Sequence, residues 1–330
     1  MMEDGRKYSV DYGVSQEKIA EGYQELIKRG YSGSQAIGAM KSMLEASVAS
    51  GDDFNTVVGN TSSTLESFGV TTSKAGETVK GMKEATAEYV NNMAFVADKT
   101  ATDFKGMGVA LEYAGSTAHT LGIPISETSA MIGVLSNSGL EAQKSGTGLR
   151  KVLNSLTANL STAGDSTDKT AGKTKKYQDQ IDKTTQTIQE LQTKQEGMTD
   201  KGSTQYAKMT EKIKAAQNKL GDLKDKLEDV GNTKTKQTAL QGIGIDPASL
   251  RDSNGEMKSV SAILEMINEK TKGMAKGDKA ALFTKLFGTT GQQAGKNLAP
   301  IIEATALIAI SILLIEAPAV FIFFFARSET

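Results

Sequence analysis

The chain has 330 residues, with 38 basic and 39 acidic side chains and a formal net charge of −1. That balance leaves no electrostatic footprint for nucleic acid, overall or in a local basic block, so no specific nucleic-acid recognition is expected. Cysteine is absent, which removes disulfides, thiolate catalysis and cysteine-ligated zinc together.

Only 5% of residues are aromatic, Trp is missing and four prolines are present. A core of Ala, Leu, Ile, Val and Met suits helices packed through small side chains, and the fold class expected is all-α. The 33 glycines are expected mostly between periodic segments, as helix stops. The opening Met1-Met2-Glu3-Asp4-Gly5-Arg6 is polar and lacks the apolar core of a secretory signal.

Residues 1–160 read as a succession of helices. Ser15 is placed to cap a helix carrying Ile19, Tyr23, Leu26 and Ile27, with Gly30 as its stop. Ser32-Gly33-Ser34-Gln35 has capping-box form, ahead of Ile37, Met40, Met43, Leu44 and Val48. Asp52 or Asp53 starts a helix through Val57, Val58 and Leu65 that stops near Gly69. The spacing then predicts one helix from Ser73 to Lys99, with Val79, Met82, Ala85, Tyr89 and Met93 on one face.

After Thr102-Asp103, the residues Met107, Ala110, Leu111, Ala114, Ala118 and Leu121 recur at helical spacing, and Gly122 is the stop. Gly106, Ala110, Ala114 and Ala118 form a small-residue row that lets another helix approach. Ser126 is the expected N-cap of the next helix, with Glu127 at its positive end; this helix carries Met131, Val134 and Leu135 and ends at Gly139. Leu149, Val152, Leu153 and Leu156 mark the helix that follows.

Composition changes at Ser161. Ser161 to Lys176 reads as a flexible linker. Two 3-4 stripes follow, Tyr177, Ile181, Thr184, Ile188, Leu191, Gln195, Met198 and then Tyr206, Met209, Ile213, Ala216, Leu220, Leu223, Leu227, Val230. Around a short Gly-containing turn they predict an antiparallel coiled-coil hairpin inserted over residues 161–238. Two solvated single helices are the alternative.

Helical core resumes over 239–303. Asp252-Ser253-Asn254-Gly255 is a turn, Ser259 caps one helix, and Asp278 caps another that ends at Leu286, Phe287 and Gly288. Residues 304–330 differ from everything before them. Ile308, Ile312, Leu313, Phe321, Phe323 and Phe324 belong to an apolar run whose length approaches the roughly 20 residues of a membrane span, but Glu316 and Pro318 interrupt it. A kinked span, an apolar hairpin and a non-native end from a reading-frame change all remain open.

No motif for chemistry survives inspection. Gly172-Lys173-Thr174 has the ending of a phosphate-binding loop, but Thr167 stands where its first glycine belongs. His119 is the sole histidine, and its place before Gly122 suits a helix terminus better than a triad with Ser116 and Glu112. No catalytic, cofactor or metal residues are therefore expected, and the chain is read as non-enzymatic.

Several segments occur in a telling order: Phe104-Lys-Gly-Met-Gly-Val-Ala-Leu-Glu-Tyr113, Ala118-His-Thr-Leu-Gly-Ile-Pro-Ile-Ser-Glu-Thr128, Ile132-Gly-Val-Leu-Ser-Asn-Ser-Gly-Leu140 and Ser145-Gly-Thr-Gly-Leu-Arg150. Ser67-Phe68-Gly69-Val70 precedes them, and Asp252-Ser-Asn-Gly255 and Leu286-Phe287-Gly288 follow. Together they resemble the core of phage tail tape-measure proteins, over roughly Ser15 to Leu298 without the Ser161 to Lys236 insertion. The resemblance marks Met107, Ala110, Ala114, Leu121, Gly122, Gly139, Gly146, Leu149, Arg150, Phe287 and Gly288 as packing and motif residues.

It implies a structural protein of the tail lumen that templates tube assembly and length and leaves with the DNA. Tail-tube subunits, assembly chaperones and baseplate proteins are the implied partners, along with self-association through helices and contact with the host membrane. The family usually continues into long helical and membrane-active regions. Fully helical at about 1.5 Å per residue, this chain would span only about 500 Å, so a fragment or truncated prophage copy is the expectation. A membrane-active helical protein that uses its apolar C-terminus as an anchor or pore element is the competing reading.

Overall fold

The computed structural model describes residues 2–161, 167–201, 204–255 and 257–300. Among them lie thirteen α-helices and three short 3-10 turns, and the sole extended pairing is an isolated bridge between Arg251 and Met257. The fold is all-α. The apolar stretch at 304–326 lies outside the described residues, and no described helix is long and apolar enough to cross a membrane.

The helices form two compact units whose boundary falls between Thr147 and Gly148, ahead of the compositional change at Ser161. The first contains α1 (Met2–Tyr12), α2 (Gln16–Lys28), α3 (Gly33–Ser50), α4 (Phe54–Ser67), α5 (Val79–Lys99), α6 (Phe104–Thr120), α7 (Ile125–Asn137) and the start of α8 (Ala142–Ser161). Here α3 packs mainly on α5, α4 on α6, and α7 on both α5 and α6.

Local chemistry sets most of these boundaries. The Ser15, Asp53 and Asp103 side chains accept from backbone N–H groups of the first turns of α2, α4 and α6. Ser32 and Gln35 form the full reciprocal capping box of α3, with Gln35 Oε1 accepting from the Ser32 N–H at 2.8 Å. Each satisfies a donor that the helix itself cannot.

Three start positions differ from expectation. α5 begins at Val79, not Ser73, because the intervening residues turn tightly. The Gly76 N–H donates to Ser73 Oγ, a Cβ on Gly76 would lie 2.1 Å from the Val70 carbonyl oxygen, and Thr78 caps the helix. α7 is led by Pro124, whose carbonyl accepts from both the N–H and the hydroxyl of Thr128, so Ser126 already lies inside the helix. Downstream, Ala275 precedes α13 and Asp278 sits in its first turn, where its charge suits the helix dipole without capping.

The buried face of α5 is rotated from the stripe of Val79, Met82, Ala85, Tyr89 and Met93. Met82, Thr86, Val90, Met93 and Val96 are buried, whereas Val79 is 42% exposed and Ala85 and Tyr89 are half-buried. The cause is Gly38 of α3, where an added Cβ would fall 2.5 Å from the Val79 oxygen and 2.9 Å from Met82 Cβ. Backbone meets backbone there. Glycine is thus used inside helices at their crossings as well as at their ends, which composition did not indicate.

The second unit comprises the rest of α8, α9 (Thr167–Glu196), α10 (Thr204–Gly231), α11 (Thr233–Gly242), a 3-10 turn at Pro247–Leu250, α12 (Val260–Thr271) and α13 (Lys276–Leu298). α9 begins at Thr167, within the stretch read as linker; its Thr, Lys and Asp residues are unbroken by proline and can continue a helix. α9 lies along α10, and Gln195 Nε2 donates to Thr210 Oγ1 at 2.6 Å near the turn joining them. Ile181, Thr184 and Ile188 of α9 and Ile213 and Leu223 of α10 are buried. Asp252 to Gly255 form the expected turn, closed by the Gly255 N–H on the Asp252 carbonyl, and Ser259 caps α12.

Candidate functional site

The motif residues fall into two structural groups. In the first unit, Met107, Ala110 and Ala114 of α6 are fully buried. Leu121 is the C-cap of α6, with its N–H on the Thr117 and Ala118 carbonyls, and Gly122 follows at φ 70°. Gly139 ends the approach from α7 at φ 84°. Both glycines hold a left-handed conformation that an L side chain strains, the usual device for stopping a helix and reversing the chain.

Gly146 has a different reason to be glycine. A Cβ there would stand 2.4 Å from the Ala110 carbonyl oxygen and 2.9 Å from Ala110 Cα, so α8 enters directly against the α6 backbone. Ala110 of the small-residue row therefore makes the close approach foreseen for it. Gly106 does not; it faces its own cap, Thr102 Oγ1 and Asp103 Oδ1. The seam with α4 instead uses Gly108, against Asn60, and Gly115, against Ser67 and Phe68. These two lie off the row.

His119 is exposed in the last turn of α6, its ring edge-on to Phe68 at 6.3 Å between centroids, and its Nε2 lies under Gly69. It packs on the corner that follows α4.

The second group carries the feature that sequence reasoning missed. Leu149 is buried as expected, but Arg150 is buried too, and its Nε donates to Asp225 Oδ2 of α10 at 3.0 Å. Lys151 beside it is 1% exposed and lies 2.7 Å from Glu228 Oε2 and 3.2 Å from Asp229 Oδ1. Asp229 also accepts from Ser155 Oγ at 3.0 Å and from Lys236 of α11, which in turn donates to Ser155. One turn away Asn154 Nδ2 donates to Asp222 Oδ1 at 2.9 Å, and Lys226 pairs with Asp222 from within α10. A basic face of α8 thus meets an acidic face of α10 in the interior, with Lys236 closing one end.

At Lys151, Lys236 and Asp225 burial and the neighbouring opposite charges act against each other, and the winner differs. For Lys151 burial pulls the ammonium down, but Asp229, Glu228 and Asp225 outweigh it and the net direction is up. For Lys236 burial prevails over Asp229, and the amine is held below its ordinary value. Burial raises the Asp225 carboxyl despite Arg150 and Lys151. α13 accommodates the cluster with glycine: a Cβ at Gly288 would meet Glu228 Oε1 at 2.9 Å, and one at Gly291 would meet Lys151 Cγ at 3.0 Å. Gly288 also takes φ 68° and kinks α13, while Phe287 before it is buried against Phe283 and Gly295.

A sequence signal for the seam did exist. Arg150, Lys151, Asn154 and Ser155 share a helical face set among Leu149, Val152, Leu153 and Leu156, and Asp222, Asp225 and Asp229 share one on α10. Among the described residues no group of three or more His, Cys, Asp or Glu side chains is placed to hold a metal ion.

The family model of phage-related minor tail proteins matches residues 3–211, well over half of the chain. The chain belongs to this family. It is a structural protein of the phage tail, and that membership implies contact with other tail components and a place in the virion tail. The match takes in all four ordered motif segments, continues through α9 and stops inside α10. It therefore runs into the segment read as an insertion, and it does not reach Asp252 to Gly255 or Leu286 to Gly288. No curated protein and no solved structure matches the chain.

Proposed function

We propose that this minor tail protein acts as a tape measure, a helical chain around which tail-tube subunits assemble and whose length sets that of the tail. The observation that carries this is the ordered run from Met107 to Arg150. Its residues lie within the family match and serve there as the helix stops and the backbone contact that join α6, α7 and α8. Packing roles of this kind need no substrate, and the protein acts through helix contacts with tube subunits, assembly chaperones, baseplate proteins and further copies of itself. The α9–α10 pair acts as a coiled coil. No step of catalysis is assigned to it.

The test is genetic. Removing the gene from a phage that carries it abolishes tails of uniform length, and supplying the chain in trans restores them. Uniform tails of normal length without the gene would defeat the reading.

A second role at a membrane has one observation in its favour, the apolar run around Ile308, Ile312, Leu313, Phe321, Phe323 and Phe324. Removing 304–330 abolishes sedimentation with lipid vesicles if that run is the contact. Undiminished sedimentation of the shortened chain would dismiss it.

A further inference from the structure

Several helix pairs in this molecule meet through buried apolar side chains or glycine-to-backbone contacts, whereas the seam of α8 and α10 carries a cluster of buried charges. Replacing such a buried ionic seam with apolar residues often tightens it, so a polar seam is not the arrangement that holds hardest. It has a different property. Separated, α8 would present Arg150, Lys151, Asn154 and Ser155, and α10 would present Asp222, Asp225 and Asp229; water solvates each of these well, which lowers the cost of wetting this part of the seam.

The junction of α10 and α11 lies beside the seam, with the Asn232 N–H on the Glu228 carbonyl and the Lys236 N–H on the Asn232 carbonyl. Gly231 ends α10, a Cβ there would touch nothing within 4 Å, and Asn232 leads α11 with no side-chain cap bond. Lys236 lies beyond this junction on α11, which packs on α13, whereas its partner Asp229 lies before it. The ion pair between them thus spans the junction. The α9–α10 pair, by contrast, is the most extensive helix contact of the second unit.

We propose that this seam is a releasable clasp, from which α9 and α10 swing away from α8 and α11 as one paired body about the Gly231–Asn232 junction. Its use rests on the tape-measure reading, because a chain housed in a narrow tube must rearrange from a compact unit. The device itself is tested on the isolated full chain, so its failure and the failure of that reading are separate results.

The absence of native cysteine makes the measurement direct. One spin-label pair, K194C with K276C, reports the distance from paired helices to body, and a second, Q186C with K219C, reports the α9–α10 pairing; all four positions are exposed or solvent-facing. In urea below the global transition the first distance acquires a second, longer population while the second distance keeps one. K236M, which leaves Asp229 less compensated, enlarges the long population several-fold. The variant R150M/K151M/D225L/D229L/K236M, which also removes the Arg150 charge that Asp225 balances, removes it.

Simultaneous loss of both distances overturns the proposal, as does a K236M population equal to that of the parent chain. If the quintuple variant does not fold, the K236M result alone decides. If it folds and opens as readily as the parent, the clasp is refuted.

Discussion

Lys151 Nζ of α8 lies 3.2 Å from Asp229 Oδ1 of α10, and each side chain is 1% exposed. Asp229 is shared with Lys236 and Lys151 with Glu228, so these buried charges hold as a set and losing one leaves the others under-compensated. K151M should therefore destabilise the second unit by about 3–5 kcal/mol. Urea unfolding monitored by circular dichroism measures this; a loss below about 1 kcal/mol would mean the seam is open to water.

The two lysines predict opposite alkaline behaviour. Lys151 is held above its ordinary 10.5, so the folded chain binds its proton more tightly; the stability it contributes is complete below 10.5 and is lost as pH rises through the folded value. Lys236 is held below 10.5, so the unfolded chain keeps that proton longer. Its contribution therefore improves as pH rises through the depressed value toward 10.5. Urea midpoints from about pH 8 to about pH 11 should show K236M losing the gain and K151M losing the fall. Parallel curves for both variants would contradict the assignment.

Gly146 predicts a steric effect. G146V drives a side chain into the Ala110 backbone and should cost about 1–3 kcal/mol or more. G172A in α9, where an added Cβ meets nothing within 4 Å, should instead stabilise by about 0.5–1 kcal/mol. Thermal unfolding of both variants would separate packing from helix propensity.

Ser32 and Ser126 look alike in sequence, each preceding a predicted helix, but only Ser32 caps one. S32A should cost about 0.5–2 kcal/mol and S126A much less. Equal losses would return the cap of α7 to Ser126.

That contrast shows what was legible. Caps at Ser15, Ser32 and Ser259, and at Asp53 as one of two candidates, act within three residues, so their residue types reveal them. The start of α5 depends on Gly76 meeting Val70, and its buried face on Gly38 meeting Val79; these follow from approach between segments, which periodicity does not encode. The packing of Met107, Ala110, Ala114 and Leu149 was visible in apolar spacing. Arg150 was singled out as a motif residue, but its role was not visible, because its partner Asp225 is remote in the chain and an isolated charge reads as surface.

The tape-measure claim is most directly tested by length. An in-frame insertion of a straight helical segment of about 60 residues after Leu298, in a phage that carries this gene, should lengthen its tail by roughly 90 Å. Electron micrographs of negatively stained particles give tail length to better than that difference. Tails lengthened in proportion to the insert are the predicted result; intact, infectious tails of unchanged length would contradict it.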